Sequence, residues 1–332
     1  MQSLSSLNMR VVSYRRHLLL LPLLPLLLAL AAPAAEPQHD RTATSSAAIT
    51  PLRLRQAPKT AEQLQHPLTY WQQRQRKPVR VVLSVLRIDL HDPQLEVATF
   101  IANDPDGDGP AEAKLVDPLQ LATRHQALAA INANAFGAVP DAEGNQSPRY
   151  YAGMPVEIAG FAATDGVRRS GVYKHGQNNM AFWLDADGQA HIGSVPDADV
   201  PVQHGVNAWW GHLLADGKIM VRPGGDRHPR SAVGYDADGR WLYLVVADGR
   251  QQFYSNGMTL HELALFMQTL GVANAINLDG GGSSTLLVAA AAKRSFFRRK
   301  SKTEKELQVV NRPSSGSLRP VPVLLGVRAR QP

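Results

Sequence analysis

The chain has 332 residues, a formal net charge of +7, ordinary hydrophobic content and no cysteine. That length buries a full core in one large domain or two smaller ones, and the missing cysteines exclude disulfides, thiolate zinc sites, cysteine nucleophiles and lipoprotein attachment. The basic excess sits in an arginine-bearing leader and in Lys293 to Glu306, so the rest is near neutral and no nucleic-acid partner is expected.

Arg10, Arg15 and Arg16 precede a Leu-rich run, Leu18 to Leu30, which exits through AAPAA just before Glu36. Positive flank, short apolar run and small-residue exit describe a secretory signal peptide over residues 1–35. With Pro22 and Pro25 inside it, the run is too short for a stable membrane span. An exported chain without disulfides fits a bacterial periplasm or medium.

Residues 36–77 mix Pro, Ala, Ser, Thr, Gln and Arg and read as a flexible linker with a short helix near Ala61 to Gln65. From Val79 the pattern changes to VRVVLSVLRIDL, a turn at His91-Asp92-Pro93 and LEVATFI, two β-rich strands of a hairpin. Asn103 to Glu112 follows, with Asp104, Asp106 and Asp108 spaced like the first half of a calcium loop. Its twelfth position is Leu115, where such a loop needs a bidentate Glu, so a solvated acidic loop is the stronger reading and no other metal site is expected.

Asp117-Pro118 predicts a helix start, with the helix running to about Leu128. ALAAINANAF then reads as a buried strand ending in Asn132, Asn134 and Phe136, whose two amides serve either a polar pocket edge or the structure itself. Beyond a loop-rich stretch from Val139 to Gly176, four Asp-Gly pairs punctuate apolar runs, at Asp187, Asp216, Asp238 and Asp248. Each carries a hairpin signal. Strands are predicted around Phe182 to Leu184, His212 to Leu214, Ser231 to Tyr235 and Trp241 to Ala247.

Thr259 with Glu262 forms a capping box, and Leu260, Leu263, Ala264, Met267 and Leu270 recur at helical spacing before the Gly271 stop. This helix feeds NAINLDGGGSSTLLV, Asn274 to Val288, which reads as strand, tight polar turn, strand. Three adjacent glycines suit a backbone that another group approaches closely, and successive N–H groups there form an anion-binding concavity with Asp279 and Ser283 at its mouth. An ordinary Gly-rich hairpin fits the same residues. A basic surface loop over 290–308, the segment Val309 to Pro313 and a last strand, Val321 to Val327, complete the chain. The expected class is α+β, with a largely antiparallel or mixed β-sheet core and a few flanking helices.

Several blocks taken together resemble the phosphodiester glycosidase family: AINANAF (Ala130 to Phe136), WWGHLLADGK (through Lys218), PRSAVGYDADG (Pro229 to Gly239), LVVADGR (Leu244 to Arg250), GMTLHELALFMQTLGVANAINLDGGGSST (Gly257 to Thr285) and VVNRP (Val309 to Pro313). The resemblance implies one glycosidase domain over 78–332 and an exported enzyme that hydrolyses a sugar-1-phosphodiester of the N-acetylglucosamine-1-phosphate type in an envelope or extracellular glycan. Ser231 stands where the family usually has threonine, and alanines occupy the Asn132 block where glycines are common.

Cleavage at the anomeric carbon builds positive charge on the sugar and releases a phosphate monoester, so the site must hold phosphate, stabilise the ring charge and deliver a nucleophile. The resemblance makes Arg230 the phosphate clamp, completed by the amides of Gly280, Gly281 and Gly282 and the Ser283 hydroxyl. Asp248 and Asp279 become the carboxylate pair, one as nucleophile or base and the other as stabiliser. Asn132 and Asn134 would orient sugar hydroxyls, Asn311 would close the pocket, and His228 is a candidate proton carrier. The alternative is a non-catalytic periplasmic protein that binds polysaccharide during exopolysaccharide assembly or export. A phosphodiesterase cutting P–O would call for a metal-ligand cluster that the sequence does not offer.

Overall fold

The computed structural model describes residues 51–107, 109–141, 143–147, 149–171, 179–291 and 305–331. The expected signal peptide, Asp108 and most of the basic loop lie outside the described residues. The described residues form four sheets and three short α-helices. The expected class thus holds in its coarser form, a sheet-dominated protein.

The largest sheet has eight strands, ordered Leu52–Leu54, Leu68–Gln75, Val81–Asp89, Trp241–Ala247, Arg230–Asp236, Val272–Asn277, His212–Ala215 and Lys218–Ile219. Every pairing in it is antiparallel except the first. A five-stranded antiparallel sheet, ordered Lys305–Val309, Leu286–Ala291, Ala127–Asn132, Val323–Ala329 and Leu95–Ile101, covers one face. The interface between them is the main core, with Leu86, Leu244, Val246 and Ile276 opposite Phe100, Ile131, Leu287 and Leu325.

On the other face, the helix Leu260–Thr269 buries Leu263, Ala264 and Met267 against Val85, Val245 and Ala275. Thr259 and Glu262 make the expected capping box, and Gly271 leaves the helix at φ +83°. Because both faces are covered, the central strand Val81–Asp89 is buried throughout, which explains why VVLSVLRID reads as a continuous apolar run rather than an alternating one. The second five-stranded sheet, Val167–Ser170 to Ala190–Ser194, and a three-stranded one are built from the middle of the chain.

Several expectations are corrected. The linker assigned to 36–77 contains, at its end, the strand Leu68–Gln75, with Leu68 and Trp71 fully buried. Only its first half is apolar; the second runs out to solvent, which diluted the strand signal. The helix begun at Asp117 ends at Arg124, after which Gln126 takes φ +53° and the strand Ala127–Asn132 begins. The basic loop of 290–308 is narrower than expected, since Leu286–Ala291 and Lys305–Val309 pair as hairpin arms. Finally, in the calcium-like loop, Asp104 accepts from the N–H groups of Asp106 and Gly107, while Glu112 is drawn away to accept from Ile158 N at 2.6 Å.

Candidate functional site

The stretch Asn274 to Val288 is not a hairpin. Its first strand belongs to the eight-stranded sheet and its second to the five-stranded sheet, so the polar residues between carry the chain from one layer to the other. The crossing is pinned at both ends. Asp279 N donates to Ala133 O at 2.9 Å, and Gly281 N donates to Pro229 O at 2.9 Å. Asn132 donates from Nδ2 to Asp279 O at 2.6 Å, while its Oδ1 accepts from Ser231 Oγ at 2.7 Å and Thr285 N at 3.0 Å.

Asn132 therefore fastens the two sheets together and is not available to a sugar. Asn134 is equally interior, donating to Ala159 O and Phe161 O. The expectation that both orient sugar hydroxyls is corrected: each is 1% exposed, deep behind the turn.

The three glycines serve a different purpose from an amide nest. Gly280 N donates to Asp279 Oδ1 at 2.9 Å, so two of the three expected cradle amides, those of Gly280 and Gly281, are already engaged within the protein. What the glycines admit is neighbouring groups. A Cβ on Gly280 would stand 2.7 Å from Pro229 O, one on Gly281 would stand 3.2 Å from Arg250 Nη1, and one on Gly282 would collide with the Arg319 guanidinium. Gly281 also needs its freedom, at φ +61°. The bare backbone thus lets two guanidinium groups lie directly on the turn.

A third arginine stands beside them. Arg230 donates from Nε to Met258 O and from Nη2 to Asp226 O, both at 3.1 Å, which fixes its fork. Burial lowers its pKa, and the charge of Arg250 lowers it further. His228 is pushed below its ordinary value by burial, then by Arg230 and Arg250, and so is neutral at pH 7; its Nδ1 lies 3.4 Å from Arg250 Nη2. Arg230 and Arg250 thus stand close together, with the Asp226 charge acting on Arg230 and His228, and a further anion would relieve their mutual repulsion.

The two carboxylates differ sharply. Asp279 lies beside Arg319 and is half-buried as a residue, less deeply than Asp248. Burial raises its pKa to about 6, opposed by the Ser283 hydroxyl, the Arg319 charge and the Gly280 N–H. Asp248 is 1% exposed and fully engaged: Oδ1 accepts from Asn311 Nδ2 at 3.0 Å, both oxygens accept from Arg312 N, and Oδ2 accepts from Tyr254 OH at 3.2 Å. Burial raises its pKa to about 6 as well, against those hydrogen bonds.

The two aspartates follow strands that flank the Arg230 strand on either side, so their backbones stand roughly 10 Å apart, two strand spacings. Arg230 lies opposite Ala247, on the helix-bearing face, so Asp248, one residue further on, points to the other face. The two carboxylates expected as a pair thus differ in setting: Asp248 is buried with both oxygens hydrogen-bonded, and Asp279 lies in the half-buried turn beside Arg319. Asn311 is engaged as Asp248 is: it accepts from Leu286 N at 2.9 Å and donates to Ser284 O, so it closes the join between sheets rather than a pocket.

The family model described as phosphodiester glycosidase matches residues 125–328, well over half of the chain. The chain belongs to the phosphodiester glycosidase family. A segment of 52 residues is 48% identical to the N-acetylglucosamine-1-phosphodiester alpha-N-acetylglucosaminidase of Mus musculus, covering 16% of this chain and 10% of that protein, so the match spans about a tenth of the mouse protein. Among solved structures, the catalytic domain of the zebrafish protein of that name aligns over 79% of this chain and 82% of its own, at 21% identity and a TM-score of 0.51. That likeness is one of fold.

The sequence singled out Arg230, Asp279 and the glycines but not Arg250 and Arg319, which the structure lays on the same turn, or Tyr254, which donates to Asp248. Arg250 was within reach, because Asp248-Gly249 differs from the three other Asp-Gly pairs. Gly188, Gly217 and Gly239 turn at φ +78°, +73° and +67°. Gly249 instead lets Pro229 and Gly257 pack against it, and Arg250 follows at φ +57°. Arg319 carries no local signal at all.

Proposed function

We propose that this protein is an exported glycosidase that hydrolyses a sugar-1-phosphodiester in an envelope or extracellular glycan. One observation carries the reading: the Arg250 and Arg319 guanidiniums lie on the Gly280–Gly282 turn, with Arg230 next to Arg250 and the Asp279 carboxylate next to Arg319. Guanidinium forks match phosphate oxygens, and the phosphate monoester departs with the electron pair of the C1–O bond without needing a strong general acid. Asp279 acts on the sugar side, where its carboxylate takes the proton of the attacking water as the new C1–O bond forms. Asp248 contributes by holding Tyr254, Asn311 and Arg312 in place. Export is supported by the charged, apolar and small-residue pattern of residues 1–35.

The test is hydrolysis of an N-acetylglucosamine-1-phosphodiester panel in ¹⁸O-labelled water by purified protein. Label in the released sugar supports the reading, and label in the phosphate overturns it. Binding of glycan without turnover on any diester would favour the polysaccharide-binding alternative.

A further inference from the structure

We infer that the open groove reaching the framework of the site binds an anionic glycan strand, which would make the substrate of the glycosidase proposed above a charged polymer rather than a free small diester. The groove encloses about 1130 Å³ between the segment Arg53 to Lys59, the strand Leu68–Gln75 and the residues Gln308 to Val310. Among the described residues, four cations line it, Arg53, Arg55, Lys59 and Arg74, and no carboxylate does. All four are exposed, and none makes an ion pair among the described residues.

The groove reaches the framework of the site at Asp248, on the face opposite Arg230. Val310, in its floor, accepts from Gln72 Nε2 at 2.7 Å and Tyr70 OH at 3.3 Å, and the next residue is the Asn311 that holds Asp248. Arg74, in its lining, lies 5.8 Å from the ring of Tyr254, whose hydroxyl donates to the same carboxylate.

The arrangement of charge selects the ligand. The guanidiniums of Arg250 and Arg319 lie on one short turn, as suits a single phosphate, whereas Arg53, Arg55 and Lys59 are strung along an edge strand and its continuation, with Arg74 on the strand beside it. Arg53 and Arg55 are two positions apart, roughly 7 Å in an extended chain, a spacing for successive anionic groups on a polymer. Between the cations, Gln56, Gln73 and Gln308 offer amide donors and acceptors to sugar hydroxyls. A single nucleic-acid strand would need aromatic faces to stack its bases, and the one aromatic in the lining, Tyr70, is buried.

The test measures binding of a fluorescent oligouronate, an anionic glycan with no phosphodiester to cleave, to the full chain over a salt series. A Kd that weakens as salt rises is expected, together with at least a tenfold loss in the triple variant Arg53→Gln/Arg55→Gln/Lys59→Gln while its thermal melting and its turnover of a small diester stay at wild-type values. Unchanged affinity in the triple variant overturns the inference, as does equal binding of neutral dextran or stronger binding of a single-stranded oligonucleotide of equal charge. Absence of small-diester turnover in the wild type, with oligouronate binding present and sensitive to the triple variant, would fall on the glycosidase reading and leave the groove standing.

Discussion

Asn311 Nδ2 lies 3.0 Å from Asp248 Oδ1 and 3.0 Å from Ser284 O, so one side chain joins the end of a strand in the eight-stranded sheet to the crossover between sheets. The carboxylate it serves belongs to the framework of the site. Asp248→Ala would leave Arg312 N and Tyr254 OH without their acceptor and Asn311 with two of its three side-chain bonds. A loss of about 3 kcal/mol is expected, read as a lowered urea midpoint, because buried donors stripped of a partner keep their desolvation cost. Asp248→Asn, which keeps one carbonyl oxygen and removes a buried charge, should lose about half of that. Equal stability of wild type and Asp248→Ala would show that the carboxylate is not a framework group.

The glycine turn separates two kinds of crowding. A methyl group on Gly280 meets a backbone carbonyl, Pro229 O, which cannot swing aside. One on Gly282 meets the far end of the Arg319 side chain, which can. Gly280→Ala should therefore cost about 2 kcal/mol or more in stability, within the range of overpacking in a well-filled site. Gly282→Ala should stay within about 1 kcal/mol of wild type in melting experiments yet lower kcat/KM for a phosphodiester at least tenfold, because the guanidinium is displaced. If Gly282→Ala melts normally and turns over normally, Arg319 has no part in the reaction.

These features mark where the sequence was legible. Local chemistry was readable: the Thr259–Glu262 capping box, the Gly271 stop and the apolar run of Val81–Asp89 all have short-range causes. Register was not. Arg319 reaches Gly282 from 37 positions along the chain, and Asn132 reaches Asp279 O across 147. Such meetings follow from the way two sheets stack, which no spacing in one segment encodes. The asparagines show the same limit, since an amide at a strand end has the same sequence whether it faces a ligand or joins two layers.

The stability of the Asp279 variant has a definite sign. Asp279 has a folded pKa of about 6, above the roughly 3.9 of an unfolded aspartate. Between those values the folded chain holds a proton that the unfolded chain has released, so this group's contribution to stability falls as pH rises and is flat above about 6. With Asp279 half-buried as a residue, about 1 to 2 kcal/mol is a fair magnitude. Asp279→Asn should then be more stable than wild type by that amount at pH 7.5, show a shallower decline between pH 4 and 6, and lose about a hundredfold or more in turnover. Because Asp248 carries a similar shift, the residual decline in Asp279→Asn belongs to it. Urea titrations across pH check each part, and destabilisation of the variant at pH 7.5 would contradict the buried-charge account.

The same carboxylate ties Arg319 to the pH dependence of the reaction. As a base, Asp279 must be ionised, so kcat/KM should fall about tenfold per unit below an acid limb near pH 6 and level off above it. Arg319 favours the ionised form, and its removal should raise the limb. Arg319→Gln is therefore expected to do two separable things: lower the plateau at least tenfold, through the lost phosphate contact, and move the limb upward by about half a unit or more. Arg250→Gln, whose charge is not among the groups acting on Asp279, should lower the plateau and leave the limb in place. A pH profile of each variant on one small diester reads both effects at once. A plateau loss without a shift in Arg319→Gln would mean that the arginine holds phosphate but does not act on the carboxylate, and an equal shift in both variants would mean that the limb reports the substrate's own ionisation.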